Sequence, residues 1–183
     1  MNYGLAATDN KNMPHSTRKL GNAFTWLGWI IGFFILALLF DRLLDNQHNP
    51  NQSLQTIRHG GYQEVRLIRN RQGHYLFNGE INGREVTFLV DTGATTTSIP
   101  LKLASALQLE KGLRFSVKTA NGISDAYSTM LDSLKLGDIE FNRVKASLNP
   151  GLTGNEILLG MNILKVIELI QRGDLLILRK PLT

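Results

Sequence analysis

The run Phe88-Leu89-Val90-Asp91-Thr92-Gly93-Ala94 carries a carboxylate at the end of an apolar segment. A carboxylate there is costly unless something holds and uses it. Thr92 supplies a hydroxyl that can lock a turn. Gly93 has no Cβ and lets a second backbone come close. The chemistry open to such a group is proton transfer. Two carboxylates sharing one proton around a water split into a base and an acid, because both cannot ionise at contact distance. Asp-Thr-Gly also fits an ordinary turn, so its surroundings decide. The small and β-branched run Ala94-Thr95-Thr96-Thr97-Ser98-Ile99-Pro100 follows it. Further on, Ile157-Leu158-Leu159-Gly160-Met161-Asn162-Ile163-Leu164 runs apolar into a glycine and then into a short helical turn.

Together the two blocks resemble the retropepsin-like aspartic proteases. The likeness extends over roughly Gly73 to the C-terminus, and the arrangement is similar to a bacterial branch with an N-terminal membrane anchor and one protease domain. The resemblance implies Asp91 as the catalytic carboxylate. It implies that Thr92 hydrogen-bonds across a dimer axis and that Gly93 allows close approach. Ala94 stands where the family has Ala, Ser or Thr. Leu158, Leu159 and Gly160 would support the loop from behind. Ala120-Asn121-Gly122 lies between the blocks, where the family carries a flap that closes over substrate. Asp125, Asp132, Asp138 and Asp174 lack the Thr-Gly that follows Asp91. One motif is half a site, so the resemblance implies a homodimer with its two-fold axis through the active site.

Other chemistries find less support. The chain has no cysteine, which removes thiol nucleophiles, thiolate metal sites and disulfides. His15, His48, His59 and His74 lack the i, i+4 spacing of a metalloprotease helix, and no metal or cofactor is expected. No Gly-x-Ser-x-Gly elbow and no phosphate-binding loop occurs. The net charge is +5 over 183 residues, and +3 once the first 40 are set aside. That is too mild and scattered for nucleic acid. Arg66, Arg69 and Arg71 cluster, as on a solvated strand edge.

The elements that must position the motif follow in order. Residues 1–19 are polar without an apolar face and read as a disordered tail. Residues 20–40 hold no charge, and 21 residues at 1.5 Å each span about 30 Å, the thickness of a bilayer core. Trp26 and Trp29 suit an interfacial belt. No small-x-small site follows Phe40, which favours an uncleaved anchor over a signal peptide. Lys11, Arg18 and Lys19 place the N-terminus in the cytoplasm and the rest outside it. Residues 41–63, with Pro50 and Gly60-Gly61, read as a linker.

From residue 64 the period shortens to that of strands. Asn82-Gly83 marks a tight hairpin between 74–81 and 84–90. Strands follow at 113–119, 123–131, 134–136, 139–141 and 144–148, with a helical turn or two at 101–107. The expected fold is all-β, a retropepsin-like closed barrel over 64–183 with one or two short helices, preceded by one transmembrane helix. The function expected is a membrane-anchored aspartic endopeptidase, dimeric, acting on a peptide or protein outside the cytoplasm, in the periplasm if the cell is Gram-negative. The alternative is a dimeric peptide-binding module without turnover.

Overall fold

The computed structural model describes residues 15–119 and 122–182. They divide into two units, up to Leu43 and from Leu44 onward. The first is helical. Helix α1 (His15–His48) begins there, and its stretch Phe24–His48 is long and apolar enough to cross a membrane. Trp26, Trp29, Phe33 and Phe34 are exposed along it. Length and apolarity of this kind suit a membrane span or a signal sequence alike.

The second unit is built from strands β1 (Thr56–His59), β2 (Tyr62–Ile68), β3 (Leu76–Ile81), β4 (Arg84–Val90), β5 (Thr97–Pro100), β6 (Arg114–Thr119), β7 (Gly122–Leu136), β8 (Ile139–Asn149), β9 (Ile157–Leu159), β10 (Glu168–Arg172) and β11 (Leu175–Pro181). A 3-10 turn (Leu101–Leu103) and the short helix α2 (Met161–Leu164) interrupt them. Alternation of side chains fixes the inward face. Phe77, Ile81, Phe88, Ile99, Leu134, Leu148, Ile157 and Leu159 are buried together, with the Phe77 and Phe88 rings stacked 5.3 Å apart. Strand order is β3-β4-β9-β5-β8-β7-β6, and a β3–β7 pairing turns the first six into a closed ring. Closure removes sheet edges that would otherwise be open to other chains. The hairpin between β3 and β4 turns at Asn82 (φ 51°) and Gly83 (φ 72°), the two positive angles a two-residue turn of the expected type needs. Asn82 also helps close the ring. Its Oδ1 accepts from the Asp132 and Ser133 amides, and its amide donates to Ser133 O. The break expected after residue 131 is therefore absent, and β7 runs on to Leu136.

The segment expected as a linker contains ordered structure. Asn49 and Asn51 are buried. Asn51 Nδ2 donates to Ile68 O (2.9 Å) and Leu76 O (2.7 Å), and its Oδ1 accepts from Ile68 N (2.7 Å). Asn49 Oδ1 accepts from Asn51 N, and its Nδ2 donates to Asn78 Oδ1. One amide side chain thus takes the place of a strand partner at the end of β2 and the start of β3. Strand β1 then pairs with β2. The polar composition that suggests a linker belongs to side chains bonding to backbone.

A second sheet, β1-β2-β11-β10, is antiparallel throughout. At its centre Glu64 is 2% exposed. Its Oε1 accepts from Arg66 Nε and Nη2, and its Oε2 accepts from Arg179 Nε and Nη2. Arg179 lies over the Tyr62 ring at 4.2 Å. Burial pushes the Glu64 carboxyl up, but the Arg179 and Arg66 hydrogen bonds together outweigh it and leave the pKa below its ordinary value. A depressed carboxylate stabilises the fold fully above its unfolded-state pKa, and that contribution is lost as pH falls through the folded value. We expect the melting temperature to drop between about pH 6 and about pH 3 and the drop to shrink in Glu64→Gln. Equal pH dependence in the two proteins, followed by circular dichroism, would remove Glu64 from the account.

Candidate active site

Strand β4 carries the chain to the motif, and β9 lies parallel to it with Phe88, Leu89 and Val90 opposite Ile157, Leu158 and Leu159. The last rung of that ladder is Asp91 itself, whose amide donates to Leu159 O (3.1 Å). The chain then turns tightly. Ala94 N donates to Asp91 O (3.3 Å), and Gly93 N donates to Asp91 Oδ1 (2.9 Å). The backbone rung and the side-chain bond fix where the partly exposed carboxylate sits. Thr92 is exposed at the tip of the turn. Its hydroxyl has no partner among the described residues.

Behind the loop, Gly160 faces the backbone of residues 94–96. A Cβ at Gly160 would meet Thr96 C at 2.5 Å, Thr96 O at 2.7 Å and Ala94 O at 2.8 Å. This close approach lets the next two amides reach the loop: Met161 N donates to Ala94 O (2.8 Å) and Asn162 N to Thr95 O (3.1 Å). The Asn162 side chain continues the clamp. Its Oδ1 accepts from Thr97 N (2.8 Å) and Thr97 Oγ1 (3.1 Å), and its Nδ2 donates to Lys145 O (2.9 Å). Sequence reasoning missed Asn162. The available signal was one amide in an otherwise apolar turn, since a polar group placed there needs a partner. Thr97 is fully buried. Asn162→Ala would strand its amide without an acceptor, and we expect a loss of about 1–3 kcal/mol in urea unfolding. An unchanged transition midpoint would show that the clamp at Asn162 is dispensable.

Asp91 opens onto a cleft of about 650 Å³. Loop residues 93–96 form one side, Phe115, Ser116 and Val117 of β6 form another, and Ser98, Ser147, Asn149 and Leu158 form the floor, with Leu152 beside them. Asp91 is the one carboxylate among the described residues that line it. The other aspartates of the strands and their turns lie elsewhere. Asp125 pairs with Arg114, Asp138 with Arg58 and Asp174 with Arg69. Asp132 is exposed at the β3–β7 seam, where its amide bonds Asn82. The hydrogen bond from Arg114 holds the Asp125 carboxyl below its ordinary pKa. No group of three or more His, Asp or Glu residues gathers among the described residues to hold a metal.

The structure thus brings Asp91, Gly93, Ala94 and Leu158 to one cleft and puts Gly160 behind it. Leu158 departs from the position expected. It faces the cleft, whereas Ile157 and Leu159 on either side point into the core. A three-residue strand alternates like any other, so only two of its three side chains can pack behind the loop. Of the expected flap tip, Ala120 and Asn121 lie outside the described residues. Gly122 (φ 112°) begins β7, paired with the β6 strand that walls the cleft.

Comparison with known proteins agrees with this geometry. The model of the family described as "gag-polyprotein putative aspartyl protease" matches residues 77–166. A crystal structure of a retropepsin-like aspartic protease from Rickettsia conorii is 30% identical, with TM-score 0.56, over 70% of this chain and 96% of that one. An uncharacterized protein from the cobV 5′ region of a Sinorhizobium species is 33% identical over 123 residues, 65% of this chain and 53% of that protein. Uncharacterized protein RP867 of Rickettsia prowazekii (strain Madrid E) is 32% identical over 106 residues, 56% of this chain and 45% of that protein. The chain spans about half the length of these two curated relatives. The fold is that of the acid proteases, one lobe to a chain. The chain belongs to the retropepsin-like aspartic proteases.

Proposed function

We propose that this chain is an aspartic endopeptidase that hydrolyses peptide bonds as a homodimer, with Asp91 as its catalytic residue. The observation that carries the proposal is the one carboxylate among the described residues that line the cleft, oriented by the Gly93 amide and backed by Gly160. Acid–base hydrolysis of an amide needs two carboxylates in register, and a second copy supplies the other one across a two-fold axis. The ionised carboxylate takes a proton from a water held between the pair. That water's oxygen attacks the scissile carbonyl carbon while the protonated carboxyl gives its proton to the carbonyl oxygen. The tetrahedral diol collapses as the C–N bond breaks. The nitrogen takes a proton from one carboxyl, a diol hydroxyl returns one to the other carboxylate, and the new carboxylic acid and amine leave. Apparent pKa values belong to the pair.

In this reading Thr92 meets the partner's loop across the axis, which agrees with its exposure and free hydroxyl in one chain. The tip at residues 120–122 closes over an extended peptide and excludes water. Residues 20–40 anchor the protein in the inner membrane of a Gram-negative cell, with the N-terminus cytoplasmic and the 64–183 unit periplasmic. Anchoring confines the copies to a surface and raises their effective concentration.

The test uses the detergent-solubilised full chain and a mixed peptide library, with products read by mass spectrometry. We expect cleavage whose initial rate falls faster than linearly as the chain is diluted, because inactive single chains then dominate. A rate strictly proportional to chain concentration, with the chain monomeric by light scattering, would rule out the shared site. No cleavage by a stable dimer would leave the binding-module reading in its place.

A further inference from the structure

The cleft floor is more polar than its surroundings require. Strand β5 lies parallel to β8 with Ser98 opposite Ser147, and antiparallel to β9 with Ser98 opposite Leu158. These three side chains therefore form a row across three strands on one face, and Asn149, two residues beyond Ser147, continues it. The neighbours Ile99, Leu148, Ile157 and Leu159 turn the other way into the core. Ser98, Ser147 and Asn149 are 8%, 4% and 6% exposed, yet all three line the cleft. Phe115 and Val117 of β6 give the cavity an apolar wall.

The hydrogen bonds of this floor are incomplete. Ser147 Oγ donates to Thr97 O at 3.4 Å and lies 3.3 Å from Ser98 Oγ. Among the described residues only the Ser147 hydroxyl of the two meets a backbone acceptor, so the pair keeps capacity toward the cavity and can rotate to accept or donate. Asn149 Oδ1 accepts from Gly151 N at 2.8 Å, which orients the amide. Its Nδ2 has no acceptor among the described residues. A nearly buried donor beside a hydroxyl pair is costly to cover with an apolar group, which removes water and returns nothing. Among the described residues no cation lines the cavity, and Asp91 contributes negative charge, so a negatively charged side chain of a substrate would enter without a counter-ion.

We infer that the floor formed by Ser98, Ser147 and Asn149 selects a neutral carboxamide side chain, asparagine or glutamine, at one position of the peptide substrate. This rests on the peptidase reading above and names its substrate class. The carboxamide oxygen accepts from Asn149 Nδ2, and its NH2 donates to the serine hydroxyls. Its aliphatic stem packs on Leu158. These residues determine specificity and take no part in proton transfer. Asparagine and leucine are close in shape, so they isolate the polar contribution. A site built around hydrogen bonds rejects the apolar isostere much more strongly than an apolar pocket rejects a polar one.

The experiment profiles the full chain in detergent against extended peptides in which each position is switched in turn between Asn, Asp and Leu. Cleavage is read as kcat/KM, and binding is read in parallel by fluorescence anisotropy on the Asp91→Asn chain. At one position we expect Asn over Leu by at least about tenfold and Asn over Asp by a similar margin. In Ser98→Ala/Ser147→Ala and in Asn149→Leu the Asn-to-Leu ratio falls about tenfold or inverts, while circular dichroism shows the fold retained. Leucine preferred at every position, or a ratio unmoved in both variants, overturns the inference and leaves the peptidase standing. Carboxamide-selective binding without cleavage leaves the inference standing and removes the peptidase. Neither cleavage nor selective binding removes both.

Discussion

Asp91→Asn abolishes peptide cleavage while the protein stays folded and dimeric: that is the first large effect expected. The substitution changes both halves of a symmetric site at once. An amide can neither take the proton of the attacking water nor give a hydrogen bond of carboxylic-acid strength to the carbonyl oxygen. General acid and general base are lost together, and each contributes about 10²- to 10⁴-fold, so we expect at least about a 10⁴-fold fall in kcat/KM. The structure gives a reason for the fold to survive. The side-chain contact to Asp91 in the chain is the Gly93 amide, which donates to Oδ1 (2.9 Å), and an asparagine carbonyl oxygen can accept the same bond. The carboxylate is partly exposed, so stability should change by no more than about 0.5 kcal/mol. Urea unfolding, light scattering and cleavage of one library-derived peptide settle it together. Retained cleavage would place the chemistry elsewhere, whereas a matching loss of stability and activity would make Asp91 a structural residue.

What the sequence reveals of this fold depends on how local each signal is. The hairpin at Asn82-Gly83 is legible because two positive φ angles in succession leave few residue types available. The junction of Val90, Asp91 and Gly93 is legible because an apolar strand ending in a carboxylate and a glycine is uncommon without a use. Asn51 is not legible. Its three backbone partners, Ile68 N, Ile68 O and Leu76 O, lie far along the chain, and in composition an asparagine in an ordered clasp equals one in a loose tether. The continuity of β7 is hidden for the same reason, since Asn82 from another hairpin supplies the acceptor at Asp132 and Ser133. Around the site, the pattern Ile157-Leu158-Leu159-Gly160 announces a strand but not which side chain faces out. The answer at Leu158 comes from its pairing with Ser98, a long-range fact. The polar floor likewise exists only once β5 and β8 are set in register.

Gly160→Ala is expected to have the second-largest effect on activity after loss of the carboxylate, and by a different route. The glycine has φ −90° and ψ 178°, a conformation open to any residue, so backbone strain plays no part. What excludes a methyl group is the loop it faces. The added Cβ would lie 2.5 Å from Thr96 C and 2.8 Å from Ala94 O, both of them main-chain atoms with no rotamer to change. Relief requires β9 and the Asp91 loop to part by about 1 Å, and overpacking of this kind costs about 1–3 kcal/mol before any bond is lost. The same shift lengthens Met161 N to Ala94 O and Asn162 N to Thr95 O, which tie the loop to α2. We therefore expect about 2–4 kcal/mol of destabilisation. Where the protein remains folded, we expect at least about a 10²-fold fall in kcat, since a displacement near 1 Å spoils the approach of two carboxylates to one water. Gly60→Ala is the control. Nothing lies within 4 Å of a Cβ there, so it should be neutral in both assays. The ordering separates support from chemistry: Asp91→Asn removes activity with stability intact, whereas Gly160→Ala lowers both. A Gly160→Ala protein with wild-type unfolding midpoint and rate would mean that the loop does not depend on the strand behind it.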